Sequence, residues 1–449
     1  MFTPSRYIVI DDNLDELREL VDALHHMGAP AIGIHYDAAK GVKPELLAGA
    51  RVLFLDLHLI GGVQIGDQKK AFDVVINILE EGIGPVSGPY VVVLWTKHAE
   101  QHAEFEAHLI DRLSPEKRPL AILHLDKNDY LRAGQKVDGD RLRKDITAAI
   151  ATDPRLHALL SWEHDVLAAA GATLSELGAL IPPEKRTPAL YGEQLDQLLS
   201  VLAGAAAGVE HAKADIRAAV GEALTPLLGD RLKNQRSSDA DAELWNRAVT
   251  RIDEVQELQE ADAARLNTML HLSLPPNESI RSTDWGAVVG LPEGALSDAA
   301  MKARFGITFS ALRLSSYPVH RKQDRKHCIP VLVRIGAACD YAQNRSGPIP
   351  YVFGALVPAN LELRDSSKLS PALIDSPVLE FPGIGAGRLF VDARYQISLT
   401  GKDVADWEAI CRVREQMLML IAAHCAGYAM RPGIISIRSS VPPPDGDEG

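Results

Sequence analysis

Five short apolar runs mark the first 130 or so residues: Tyr7-Ile8-Val9-Ile10, Ala31-Ile32-Gly33-Ile34, Val52-Leu53-Phe54-Leu55, Tyr90-Val91-Val92-Val93-Leu94 and Leu120-Ala121-Ile122-Leu123. Each is apolar nearly throughout, the pattern of a strand buried on both faces of a parallel sheet. Between the first two, Leu14, Leu17, Val21 and Leu24 recur at helical spacing, and Gly28 is placed to end the helix. Between the third and fourth, Phe72, Val75, Ile76 and Leu79 repeat that spacing. Strands alternating with helices predict a doubly wound α/β domain with a five-stranded parallel sheet over residues 1–140.

The texture then changes twice. Over residues 141–274 strand signals vanish, and helical stretches are expected at 156–180, 190–227 and 239–270, the first two parted by Pro182-Pro183. This Ala-rich, Leu-spaced region predicts a helical bundle or linker, either closed within the chain or pairing two copies into a homodimer. Residues 275–440 carry short strand candidates at 331–335, 351–357, 378–381, 388–391 and 396–399, with turn residues between them. A helix is expected at 404–428, with Trp407, Ile410, Val413, Met417 and Leu420 as its core face. The region reads as an α+β output domain, a small barrel with a flanking helix being one form of it. Residues 441–449 read as a disordered acidic tail.

Composition narrows the class. The 449 residues are 46% hydrophobic and 24% charged, as in a soluble globular chain of two or three domains. Acidic residues begin by Asp11, so no secretory signal is expected, and the weakly polar run at 417–430 is too short to span a bilayer. Cys328, Cys339, Cys411 and Cys425 are too few for a disulfide framework, which points to a reducing, cytoplasmic location. A net charge of −13 argues against nucleic acid as a general partner. The basic run from His320 to His327 is the local exception, but it contains Asp324 and lies between Pro318 and Pro330, as a solvated connector would.

Ligands of an open parallel sheet sit beyond the carboxyl ends of its strands. Here those ends carry Asp11-Asp12 on the first strand and Asp56 on the third. Thr96 ends the fourth, after Trp95, and Lys127 ends the fifth, after His124-Leu125-Asp126. Clustered carboxylates repel unless a cation neutralises them, and Mg²⁺ suits an oxygen shell of Asp11, Asp12 and Asp56 with a backbone carbonyl and waters. A carboxylate oxygen of Asp56 would then attack phosphorus. Lys127 would pair first with Asp56 and then with a phosphoryl oxygen, while Thr96 would turn its hydroxyl toward that group.

These residues, as Ile-Val-Ile-Asp11-Asp12, Leu-Phe-Leu-Asp56-Leu, Val-Leu-Trp-Thr96 and Leu-Asp-Lys127, resemble the receiver domain of bacterial two-component response regulators over residues 5–135. The resemblance implies Mg²⁺-dependent phosphorylation of Asp56 by a partner histidine kinase, and gives His124, three residues before Lys127, the place of a rotating switch residue. Extra loop at 61–66 and 82–89 and Asn128 in place of a proline are departures, resembling divergent receivers of large bacterial signalling or anti-phage defence proteins.

Other motifs are weaker. Cys339-Asp340-Tyr341-Ala342-Gln343 is either a turn entry with a structural cysteine or a nucleophile served by His320, His327 or His424. Cys328, Cys339 and His327 lack the close pairing of a zinc site. The glycines at 383, 385 and 387 precede a strand rather than a helix, and Gly401-Lys402 lacks a P-loop's upstream glycine, so both read as turns. The expectation is a signalling protein with a phosphorylated receiver and an output not named by the sequence. The alternatives are an effector enzyme dependent on Cys339 and a non-phosphorylated scaffold.

Overall fold

The computed structural model describes residues 5–431 except 61–67, 85–86, 131–138, 152, 255–257, 276–278 and 344–346. The extra loop at 61–66, part of that at 82–89 and the acidic tail therefore lie outside the described residues. The chain forms two compact units, residues 1–171 with 232–253, and residues 172–231 with 254–449.

The first unit is built from β1 (Tyr7–Asp11), α1 (Leu14–His26), β2 (Ala31–His35), α2 (Pro44–Leu47), β3 (Val52–Leu55) and α3 (Gln68–Gly82). It continues through β4 (Val91–Thr96), α4 (His102–Arg112), β5 (Ala121–Asp126), α5 (Lys127–Tyr130) and α6 (Gly139–Ala151). The five strands pair in parallel, as the sequence predicts, and their order is β2-β1-β3-β4-β5. Alternate residues serve opposite faces. Ile8, Ile10, Leu53, Leu55, Val92 and Leu94 pack with Phe72, Val75 and Leu79 of α3 and Phe105 and Leu109 of α4. Val9, Val52, Phe54, Val91 and Val93 pack with Leu17, Leu20 and Leu24 of α1 and Leu142 and Ile146 of α6. Each fully buried Val, Leu, Ile or Phe contributes ~1.5–3 kcal/mol. β3 and β4 are buried throughout and β1 from Ile8 onward; β2 and β5 each have one neighbour, and Ile32 on β2 is 37% exposed.

The helical region is more broken than its periodicity predicts. After α7 (Pro154–Ala179), the stretch at 190–227 is three helices, α8 (Tyr191–Ala207), α9 (Val209–Ala214) and α10 (Ile216–Lys233). Gly208, at φ 78°, leaves helical geometry between the first two. Asp215 separates the next pair and caps α10 through the Ala218 N–H at 2.9 Å. The stretch at 239–270 is likewise α11 (Asp239–Ala248) and α12 (Glu260–His271).

The second unit centres on an antiparallel sheet of eight strands: β6 (Leu272–Ser273), β7 (Ala287–Gly290), β8 (Ile329–Arg334), β9 (Ile349–Pro358), β10 (Leu373–Asp375), β11 (Leu379–Phe381), β12 (Gly385–Leu399) and β13 (Ala409–Val413). Helices α13 (Asp298–Phe305), α14 (Phe309–Ser316), α15 (Ala338–Ala342) and α16 (Glu415–Met430) accompany it. The order β10-β12-β9-β8-β7-β13-β6, with β11 also on β12, runs open from end to end among the described residues. Val331, Val333, Val352, Leu389 and Val391 face α16, while Leu332, Phe353 and Phe390 join Met301 of α13 and Leu312 of α14.

Two sequence expectations fail here. Segments 388–391 and 396–399 belong to one strand, β12, bent where its register shifts between Val391 and Gln396. The helix expected at 404–428 begins only at Glu415, because Ala409–Val413 pairs with β7 and β6 instead. Cys411 and Val413 alternate into the core, whereas Leu420 is 59% exposed. Helical spacing among Trp407, Ile410 and Val413 was thus outweighed by the ladder available on the exposed edge of β7.

That junction is tight. Gly286 has φ 83°, and a Cβ there would stand 2.4 Å from the Val413 carbonyl oxygen. Gly286→Ala is expected to destabilise the second unit by roughly 1–3 kcal/mol in chemical denaturation; a midpoint equal to the parent's would contradict this account of the β7–β13 junction.

Candidate functional site

Register decides which side chains meet at the carboxyl edge of the parallel sheet. Ile10 lies opposite Leu55, so the next residues, Asp11 and Asp56, leave neighbouring strands side by side. Leu55 in turn lies opposite Leu94, which brings Thr96 to the same edge, and Thr96 is opposite Asp126, the residue before Lys127. The Asp56 N–H donates to the Ile10 carbonyl at 3.2 Å, continuing the ladder one step past β3.

Carboxylate oxygens of Asp11, Asp12 and Asp56 all lie within 4.8 Å of one another, and among the described residues this is the group with metal-binding geometry. Lys127 reaches into it from the end of β5. Its side chain is 0% exposed, and Nζ stands 2.5 Å from Asp56 Oδ2, 2.7 Å from Asp11 Oδ2 and 2.9 Å from Glu16 Oε2. The remaining oxygens are also engaged: Asp11 Oδ1 accepts from the Asn13 N–H at 2.8 Å, and Asp56 Oδ1 from the His58 N–H at 3.2 Å. Thr96 is buried, and its Oγ1 accepts from the His98 N–H at 3.2 Å.

Sequence reasoning missed Glu16. Its carboxylate binds both Lys127 and Lys97, the latter at 2.5 Å. The signal was present as Asn13-x-x-Glu16, the spacing of a capping box. Asn13 Oδ1 accepts from the N–H groups of Asp15 and Glu16, and its amide donates to Glu16 Oε1 at 3.2 Å. Capping therefore holds Glu16 in the first turn of α1, over the end of β1. His58 and His98 were also missed; their rings pack at 4.2 Å, and His58 Nε2 meets Gln101 Oε1 at 3.0 Å. His124 is exposed and stacks on His102 of α4, with ring centroids 4.6 Å apart. At the proline position, Asn128 uses its N–H to bond Asp126 Oδ1 at 2.8 Å, a donor that proline lacks.

Burial is the largest influence on Asp11 and, with the charge of Asp56, pushes its carboxyl up to about 6 despite Lys127. Burial and Asp56 also raise Asp12. Burial opposes the charge on Lys127, but Asp56 and Asp11 outweigh it and hold the ammonium above the ordinary lysine range. Glu16 is raised by burial but carried below the usual carboxylate range by Lys97 and Lys127. With all groups ionised, four carboxylates against two ammonium groups leave an excess of two negative charges. An all-oxygen donor set with that excess fits a hard divalent cation.

The other sequence candidates do not gather into a site. Cys339 is exposed on α15, with Sγ 4.0 Å from Asp340 Oδ1, while Cys328, Cys411 and Cys425 are buried. His424 bonds the Ala372 carbonyl at 3.1 Å, and His320 lies 3.7 Å from Glu362.

Two outcomes follow from the charge balance. Replacing Lys127 by Met strips the buried carboxylates of their shared partner. Lys127→Met should destabilise the first unit by roughly 3–5 kcal/mol at pH 8, and by less at pH 5, where Asp11 takes up a proton; equal stability to the parent at both pH values would sink this view. A divalent cation must displace that proton, so its affinity should be full above the Asp11 value of about 6 and fall as the pH drops through it. Calorimetric titrations at pH 5 and pH 8 check this, and a flat affinity would contradict it.

No protein-family model matches the chain, and no curated protein matches it. One solved structure, full-length FixJ from B. japonicum, matches at 15% identity over 55% of this chain and 98% of that one, with a TM-score of 0.21. A likeness that slight carries no weight here. The five-stranded parallel sheet with helices on both faces nevertheless fits a receiver fold on its own topology.

Proposed function

We propose that the first unit is a phosphoacceptor module in which Asp56 receives the phosphoryl group, with Mg²⁺ held by Asp11, Asp12 and Asp56. The observation that carries this reading is a fully buried Lys127 bonded to both Asp56 and Asp11 beside the acidic trio. A lysine held by three carboxylates is costly to bury for packing alone. It is well used if one carboxylate is to change charge.

A bound divalent cation would supply neutralisation of the carboxylates and of the charge on an incoming phosphoryl group. Asp56 would offer a carboxylate oxygen to phosphorus as the bond from phosphorus to the donor breaks and the donor keeps that electron pair. Lys127 would give up its contact with Asp56 Oδ2 and donate to a phosphoryl oxygen. Thr96 would exchange its bond from the His98 N–H for donation to the same group, drawing the loop after β4 inward. His124, stacked outside on His102, would move with that loop.

The phosphodonor implied by the receiver resemblance is a histidine kinase in a bacterial cytoplasm, with anti-phage defence one setting for such a chain. Pairing of two copies through the helical region remains part of this proposal. Among the described residues, no helix is long and apolar enough to cross a membrane.

Acetyl phosphate and Mg²⁺ supply the test. Intact mass should rise by one phosphoryl group in the parent and in Thr96→Ala, and by none in Asp56→Asn or in chelator. Modification that persists in Asp56→Asn would overturn the assignment. No modification with either acetyl phosphate or a panel of phosphorylated histidine kinases would favour the scaffold.

A further inference from the structure

The second unit contains a cavity of about 800 Å³ whose wall includes Arg281, Arg334, Lys402, Asp340, Tyr341 and His211. It opens between the end of β8, the start of β9 and α15, and Asp340 and Tyr341 of α15 contribute to it. Three cations and one carboxylate among these residues make the wall basic, in a chain whose overall charge is −13.

Arg281 and Arg334 differ in their partners. Asp284 is a buried acid bonded to Arg281 and Tyr341 of this wall, and both its oxygens are taken. Oδ2 accepts from the Arg281 backbone N–H at 2.8 Å, while Oδ1 accepts from Arg281 Nε at 2.9 Å and from the Tyr341 hydroxyl at 3.2 Å. Arg334 instead lies over the Tyr341 ring, 4.7 Å from its centroid, and its buried Nε has no hydrogen-bond partner among the described residues. Nδ1 of His211, in the same wall, is also buried and unpartnered. A ligand with hydrogen-bonding oxygens would satisfy both atoms, as buried donors and acceptors generally require. Burial also presses the Arg334 guanidinium below the ordinary arginine range, against the opposing charge of Asp284.

We infer that this cavity is a binding site for a small phosphate-bearing ligand, with the phosphate seated between Arg334 and Lys402 and His211 completing its hydrogen bonds. A tetrahedral dianion presents oxygens to cations arriving from several directions, whereas one planar guanidinium would suffice for a carboxylate. Tyr341 fixes Arg334 from one side. Pro348 and Ile349 give the remainder of the ligand an apolar surface.

The test is calorimetric titration of the full chain with inorganic phosphate and with adenosine 5′-monophosphate, in EDTA so that the acidic site of the first unit stays out of play. Saturable binding is expected for phosphate, tighter for the monophosphate ester if the apolar wall contributes. Arg334→Gln should weaken it about tenfold or more. Lys402→Gln, exposed on a turn and outside the packed core, should weaken it several-fold with the fold intact by circular dichroism. Lys322→Gln, an exposed cation outside this wall, should leave it unchanged. Absence of saturable binding by either probe would overturn the inference. So would equal weakening by Lys322→Gln, or an affinity indifferent to both Arg334→Gln and Lys402→Gln.

Discussion

The Lys127 ammonium lies fully buried at the edge of a parallel sheet, where three carboxylates neutralise it. A charge removed from water is tolerated only where opposite charges and hydrogen bonds replace its hydration. Asp11, Asp56 and Glu16 do so from β1, the residue after β3, and the first turn of α1. A slip of one residue in either strand pairing would turn Asp11 or Asp56 to the opposite side of the sheet. The apolar register of β1 and β3, with alternate residues committed to two different cores, prevents that slip.

The same edge joins two loops through contiguous contacts. Asp56 Oδ1 accepts from the His58 N–H, the His58 ring packs on His98, and the His98 N–H donates to Thr96. A change in charge at Asp56 therefore acts on groups already in contact with the end of β4. Such a chain of contacts gives a physical route for a two-state response, though coupling energy is set by how differently each state binds. His124, exposed against His102, lies at the outer end of β5, beside β4.

The second unit is organised differently. Its sheet is antiparallel yet covered on both faces, by α16 on one side and α13 and α14 on the other. Its central strands therefore lack the alternation of a half-exposed sheet. Arg334 at the end of β8 and Tyr341 of α15 line the basic cavity, and Asp284 accepts from the Tyr341 hydroxyl beside it. Net charge gave no hint of this cavity, because a total of −13 says nothing of where charges of each sign collect.

Local pattern alone determined much of the first unit. Apolar runs with helical stretches between them sufficed for five parallel strands, and the rule that parallel strands present their carboxyl ends together sufficed to group Asp11, Asp12, Asp56, Thr96 and Lys127. Glu16 was written in the capping spacing after Asn13, but its contact with Lys127 depends on the distance between two elements far apart in sequence. The same limit explains the second unit. Helical spacing in Trp407, Ile410 and Val413 was real, yet pairing with β7 made Ala409–Val413 a strand. Helix hydrogen bonds close within a few residues, so their period is legible in sequence. Sheet bonds, the open course of the eight-stranded sheet and the stacking of Arg334 on Tyr341 arise between residues apart in sequence, and only the folded chain decides them.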